Sequence, residues 1–153
     1  QGSRPVTQPR ISIAMATYNG ARFIAQQLAS FAEQSLRPDE LVVTDDCSSD
    51  DTVALVERFA AAAPFSVRVE VNPERLGYSR NFERAIGLCR GEMLFVSDQD
   101  DAWDADKIAI VAAVLRTAGG PAVAVNDQRI GDASGTDSGM TMFGNFRRAG
   151  CPD

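Results

Sequence analysis

Ser97-Asp98-Gln99-Asp100-Asp101 puts three carboxylates within four residues. Carboxylates this close repel one another, unless a hard cation shares them. Magnesium and manganese suit such a site, because each takes oxygen ligands and commonly uses one or two carboxylates together with substrate phosphates. The plainer reading is a solvated acidic loop leading to Asp104, which caps the next helix. The run begins like a calcium loop, but Trp103 stands where that loop needs glycine.

Other polar residues stand out of the apolar pattern in the same way. Asp45-Asp46 ends a hydrophobic run. A carboxylate there can accept hydrogen bonds from a ribose hydroxyl or a base N–H, or can cap a helix beside Ser48 and Ser49. Both uses are expected, with Asp46 facing the ligand. Thr17-Tyr18-Asn19-Gly20 ends the first run, and Tyr18 is either a face for a flat base or a partly buried turn tyrosine. Arg75, Arg80 and Asn81 flank a glycine-bearing loop; an arginine there either pairs with phosphate or lies on the surface. Trp103 reads as a packing residue pinning the acidic loop, or as a platform for substrate.

These residues need elements to position them. Residues 10–16 read as a buried strand and 40–45 as a second. Residues 66–71 alternate strictly, like a half-exposed edge strand, and 92–97 form a hydrophobic fourth strand. Helical spacing predicts helices over 21–34, 52–63, 79–89 and 105–117. In 79–89 the inward set is Phe82, Ala85, Ile86 and Cys89. Residues 121–126 (Pro-Ala-Val-Ala-Val-Asn) read as a last strand, and 131–153 as loop or the start of an acceptor-side region. Alternating strands and helices imply an α/β fold with an open, mostly parallel, doubly wound sheet. Ligands of such sheets bind at the carboxyl ends of the strands, where all the singled-out residues fall.

Composition narrows the chemistry. The chain has 153 residues, the length of one ordinary domain, with a net charge of −6 that argues against nucleic acid as partner. It has no histidine, which excludes a Ser-His-Asp triad, a Cys-His pair and His-ligated zinc within it. Cys47, Cys89 and Cys151 are odd in number and widely spaced, as in a reducing cytoplasm. No stretch is long and apolar enough to span a membrane, and no signal peptide opens the chain. Residues 1–9 read as a tag remnant (Gln1-Gly2-Ser3) and an extension, and 10–130 as one domain. Neither Gly-x-Gly-x-x-Gly after the first strand nor Gly-Lys-Ser/Thr is present, which disfavours dinucleotide and P-loop sites.

Three ordered motifs carry a family resemblance: Ile11-Ser-Ile-Ala-Met-Ala-Thr-Tyr-Asn-Gly20, Glu40-Leu-Val-Val-Thr-Asp-Asp-Cys-Ser-Ser-Asp50 and Gly91-Glu-Met-Leu-Phe-Val-Ser-Asp-Gln-Asp-Asp-Ala-Trp103. Over roughly residues 10–130 the chain resembles the family-2 glycosyltransferases of GT-A fold, and its third motif is similar to that of rhamnosyltransferase-like members. The resemblance implies a nucleotide-sugar site of Ala16, Thr17, Tyr18, Asn19, Asp46, Arg80, Asp98 and Asp101. Ala16, Tyr18 and Asp46 match nucleoside-binding places. Asp98 and Asp100 match the ends of the Asp-x-Asp motif and imply a divalent metal, Mn or Mg. It further implies a UDP- or dTDP-linked donor and a saccharide or lipid-linked acceptor. Transfer would be inverting, in the cytoplasm or at the inner membrane face. The family's general base lies well downstream of the metal motif, so it is expected to be absent from what reads as a fragment of a longer enzyme. Asp127 stands near the acceptor side. Two other readings remain: a receiver-type signalling domain, also doubly wound with acids at its strand ends, and a non-catalytic sugar-nucleotide-binding module.

Overall fold

A computed structural model describes residues 9–131 and 136–142. Strand β1 (Ile11–Thr17) is buried along its whole length, as is β2 (Glu40–Asp45). Burial on both faces is what central strands of a parallel sheet require. They pair in parallel, with Ile13 beside Leu41 and Thr17 beside Asp45. Strand β3 (Ser66–Val71) adds outside β2 and β4 (Met93–Ser97) outside β1, giving the all-parallel order β3-β2-β1-β4. As its alternation predicts, β3 is a half-exposed edge strand. The receiver-type reading needs the order 2-1-3-4-5, and this sheet excludes it.

One face of the sheet carries the main core. Ile11, Ile13 and Met15 alternate on β1 and meet Leu41, Val43 and Phe95 from its neighbours. Helix α1 (Ile24–Ala32) lays Ile24, Leu28 and Phe31 onto this face, at the i, i+4, i+7 spacing of a buried stripe. Helix α2 (Thr52–Ala60) adds Val56, and α4 (Lys107–Thr117) adds Ile108. Each such side chain contributes about 1.5–3 kcal/mol by leaving water. Trp103 is buried here, edge-on to Phe31 at 4.8 Å, which makes it a packing residue and not a substrate platform. On the opposite face β1 presents Ser12, Ala14 and Ala16. These small residues let helix α3 (Tyr78–Leu88) approach, burying Asn81, Phe82 and Ala85. Ile86, expected inward, is 39% exposed, because α3 turns only one narrow face to the sheet.

The chain divides into two compact units, one ending at Ala113 and one beginning at Val114. In the second unit the expected strand over 121–126 does not form; those residues are irregular, with Val123 91% exposed. Its two valines alternate with alanines and give little apolar surface to bury, and Pro121 removes a backbone donor. The ordered pieces are instead an antiparallel pair, β5 (Arg129–Gly131) and β6 (Asp137–Thr141), and β6 lies in the stretch from 131 expected to be loop. Residues 132–135 and 143–153, and 1–8 of the expected N-terminal extension, lie outside the described residues.

Candidate functional site

In the order β3-β2-β1-β4 the direction of winding reverses between β1 and β4, and a crevice opens beyond their carboxyl ends. Four loops meet there. The first follows β1, and four successive backbone N–H groups in it donate to side chains of other loops. Tyr18 N–H reaches Gln99 Oε1 at 2.9 Å and Asn19 N–H reaches Ser48 Oγ at 2.8 Å. Gly20 N–H reaches Thr52 Oγ1 at 2.8 Å and Ala21 N–H reaches Asp50 Oδ2 at 3.0 Å. A run of free N–H groups at this place would be an anion cradle. Here every one is already matched to a protein acceptor.

Neither carboxylate after β2 takes the helix-capping task expected of one of them. Asp45 accepts from Thr17 Oγ1 at 2.7 Å and from Ser48 N–H at 2.8 Å, closing the turn back onto β1. The start of α2 is held by Asp50, which accepts from the Thr52 N–H and hydroxyl. Asp46 faces the crevice, yet both its oxygens bind the loop that leads into α3. Oδ1 accepts from Leu76 N–H at 2.7 Å and Asn72 Nδ2 at 2.9 Å, and Oδ2 accepts from Gly77 N–H at 2.9 Å. Burial alone would raise the Asp46 pKa; these donors and the nearby Arg75 outweigh it and hold it below the usual carboxylate range. Gly77 has φ +83°, a conformation that favours glycine and aims its N–H at the carboxylate. Beneath this loop Asn81 is buried. Its Nδ2 donates to Thr44 O at 3.0 Å and Thr17 O at 3.3 Å, tying α3 to both central strands.

The acidic run follows β4. Tyr78 Oη donates to Asp98 Oδ2 at 3.3 Å. Burial, and then the charge of Asp100, push the Asp98 carboxyl up, against the pull of that hydroxyl. Asp101 is likewise raised, by burial and by the charges of Asp98 and Asp100, against Lys107. Uncompensated negative charge is therefore concentrated at this edge. Gln99, between the acids, turns away from them and uses its amide on Tyr18: Nε2 donates to Tyr18 O at 3.0 Å, completing a two-bond contact with the N–H.

Between the loops lies an open cleft of about 430 Å³, within the size range of small-ligand sites. Ala16, Thr17, Tyr18 and Asp46 line one part of it, and Asp98, Gln99 and Asp100 another. Arg75, Tyr78 and Asn81 complete the wall. Of the sequence-derived residues, Ala16, Thr17, Tyr18, Asp46, Asp98 and Asp100 are thus brought together. Asn19 is not: its side chain accepts from Ser49 N–H at 2.8 Å, on the far side of its loop. Arg80 is exposed on α3 and does not line the cleft, since its neighbour Asn81 is the residue turned toward the sheet. Asp101 does not line the cleft either. Arg75 lies with its guanidinium 3.8 Å from the centre of the Tyr18 ring and its Nε 3.9 Å from Asp46 Oδ2. Tyr78 and the two-point contact of Gln99 were not foreseen. Only a Gly-Tyr pair opening a helix, and a glutamine between acids, hinted at them.

Among the described residues no three acidic or cysteine side chains converge as a ready-made metal cage. Asp98, whose carboxyl is pushed up, and Asp100 on the same open cleft are instead a donor set that suits a hard cation whose remaining ligands come from phosphate and water.

An open α/β sheet of GT-A type with acids at its switch point defines a class of protein. Residues 12–149 match the family model described as Glycosyl transferase family 2, and the chain belongs to that family. It is 36% identical over 98 residues to the dTDP-rhamnosyl transferase RfbG of Shigella flexneri, covering 61% of this chain and 34% of that protein. It is 31% identical over 109 residues to the poly(ribitol-phosphate) beta-N-acetylglucosaminyltransferase TarS of Staphylococcus aureus, covering 69% of this chain and 19% of TarS. The chain thus spans about a third or less of these relatives. The crystal structure of S. aureus TarS 1-349 in complex with UDP matches with TM-score 0.64 and 28% identity, over 71% of this chain and 32% of that one. The mannosyltransferase PcManGT from Pyrobaculum calidifontis, in complex with GDP-Man and Mn2+, matches with TM-score 0.62 and 29% identity, covering 71% of this chain and 32% of that one.

Proposed function

We propose that the cleft binds a nucleoside diphosphate sugar, UDP- or dTDP-linked, and that the chain is the donor-binding part of a glycosyltransferase acting with inversion on an acceptor hydroxyl. One observation carries the reading. The N–H groups of residues 18–21 are all bonded within the protein, while the acids across the cleft are short of positive charge. A diphosphate therefore has no cradle after β1, and its charge is met at Asp98 and Asp100 through a shared Mn or Mg ion. When bound, that ion neutralises charge developing on the leaving diphosphate.

The chain's own residues then have separate tasks. Tyr18 offers its ring to the base, with Ala16 and Thr17 as the adjacent floor. Asp46 keeps one lone pair beyond its three donors for a base or ribose hydrogen bond. Arg75 already covers one face of the Tyr18 ring, so a base stacking on that face displaces the guanidinium. Asp98 sits nearest the ribose side, held by Tyr78, and Asp100 takes the ion. No carboxylate of the cleft is assigned as general base: Asp46 is bonded to the α3 loop, and Asp98 and Asp100 serve the diphosphate. The chain alone is thus expected to hold donor with little transfer. The acceptor in this reading is a saccharide or lipid-linked chain met at the cytoplasmic face of the inner membrane. Among the described residues no helix is long and apolar enough to cross a bilayer.

Calorimetric titration with UDP- and dTDP-sugars tests the proposal. One of the two is expected to bind, and omitting Mn or substituting Asp100→Ala is expected to weaken it by about tenfold or more, a change of about 1.4 kcal/mol. Metal-independent binding that ignores Asp100→Ala would contradict it.

A further inference from the structure

The ladder between β1 and β4 ends at Met15 and Ser97, short of the ends of the loops that line the cleft. Tyr18 lies three residues beyond Met15, with both its N–H and its C=O directed to one side chain. Gln99 Oε1 accepts from the N–H at 2.9 Å and Gln99 Nε2 donates to the C=O at 3.0 Å. A primary amide carries the same donor and acceptor as a peptide, so Gln99 supplies the rung that β4 would have supplied had it continued. Two bonds to one residue fix rotation as well as distance. The contact also has a shaped partner. A Cβ built at Gly20 would overlap the Gln99 amide, and the three nearest atoms it would meet all belong to Gln99. Gly20 has no left-handed φ to explain its identity, so the close approach of Gln99 accounts for a residue without a side chain here.

We infer that Gln99 is a positioning residue that sets the span between the nucleoside platform at Tyr18 and the diphosphate end at Asp98 and Asp100. The inference rests on the donor reading above. A nucleoside leans on the Tyr18 and Asp46 loops and meets the β4 loop only at Asp98 beside the ribose, whereas a nucleoside diphosphate with its metal also engages Asp100. Two half-sites held at the right separation act as one rigid site, and freeing one of them costs affinity for the ligand that bridges both.

The test is a mutant cycle on the full chain, read by titration with UDP or dTDP plus Mn, and with uridine or thymidine without metal. Gln99→Ala is expected to weaken the diphosphate by about tenfold and the nucleoside by less than about twofold. Gly20→Ala displaces the amide and is expected to give the same pattern. In the Gln99→Ala background the Gly20→Ala change is expected to add almost nothing, because the atoms it displaces are gone. Equal loss of nucleoside and diphosphate, with a matching fall in melting temperature, would show a merely structural contact and overturn the inference. Additive effects of the two changes, or an unchanged diphosphate affinity, would also overturn it. A parent chain that binds neither diphosphate defeats the donor reading and this inference with it, whereas a parent that binds with an unaffected Gln99→Ala variant defeats the inference alone.

Discussion

Asp46 and Asp98 face one cleft with opposite electrostatics. Asp46 is buried, yet backbone and amide donors more than satisfy its charge. Replacing it by alanine leaves two N–H groups and the Asn72 amide without their acceptor, and is expected to cost about 3 kcal/mol in chemical denaturation. Asp98 has one hydroxyl donor at 3.3 Å and acidic neighbours. Asp98→Asn is therefore expected to raise the melting temperature of the ligand-free chain, by about 2–4 °C if relief amounts to about 1 kcal/mol, while weakening Mn-dependent nucleotide binding. A lower melting temperature would mean that the acids are not mutually strained. Residue types at strand ends made these carboxylates legible in the sequence, because charge interrupting an apolar run is conspicuous. Their partners were not legible. That Asp46 serves Leu76 and Gly77, or that Gln99 faces Tyr18 across 81 positions, depends on contacts far apart in the chain.

At the scale of elements, the loop after β1 owes its shape to the loop that opens α2. Ser48, Asp50 and Thr52 accept from three of its N–H groups, and Asn19 returns a bond to Ser49. Two non-glycine residues with positive φ, Asn19 and Cys47, sit in these loops and are held by that lacing. Thr52→Val keeps the shape of a fully buried residue but removes the acceptor for Gly20 N–H. It is expected to cost about 1–2 kcal/mol of stability. It is also expected to weaken nucleoside and diphosphate alike, unlike Gln99→Ala. Strands β1 to β4 and helices α1 to α4 followed from period-2 and period-3.6 patterns because burial on one or both faces enforces those periods. Residues 121–126 show the limit of that rule. Alternation written with alanine looks like a strand, but it does not bury enough surface to make one.

For the molecule as a whole, the raised and lowered carboxylates predict a pH response. Asp98 and Asp101 bind protons more readily folded than unfolded, so they favour the folded chain at low pH and oppose it once ionised. Asp46 and Glu40 do the reverse; their contribution is present above the unfolded value of about 3.9–4.3 and is lost as pH falls through their lowered values. Ligand-free stability is thus expected to rise on mild acidification from neutral and to collapse below that range. Mn-dependent nucleotide affinity is expected to fall over the same mild acidification, since protons compete for the acids. Thermal melts and titrations across one pH series check both signs, and parallel trends would refute the assignment.

We propose that charge on the diphosphate is met at the end of β4 and not after β1. A crystal of this chain grown with Mn and UDP or dTDP, mapped by manganese anomalous scattering, tests it most directly. The predicted result is one strong peak between Asp100 and the diphosphate, with the base against Tyr18 and the N–H bonds of residues 18–21 intact. Phosphates lodged on those N–H groups, or a peak away from Asp98 and Asp100, would contradict it.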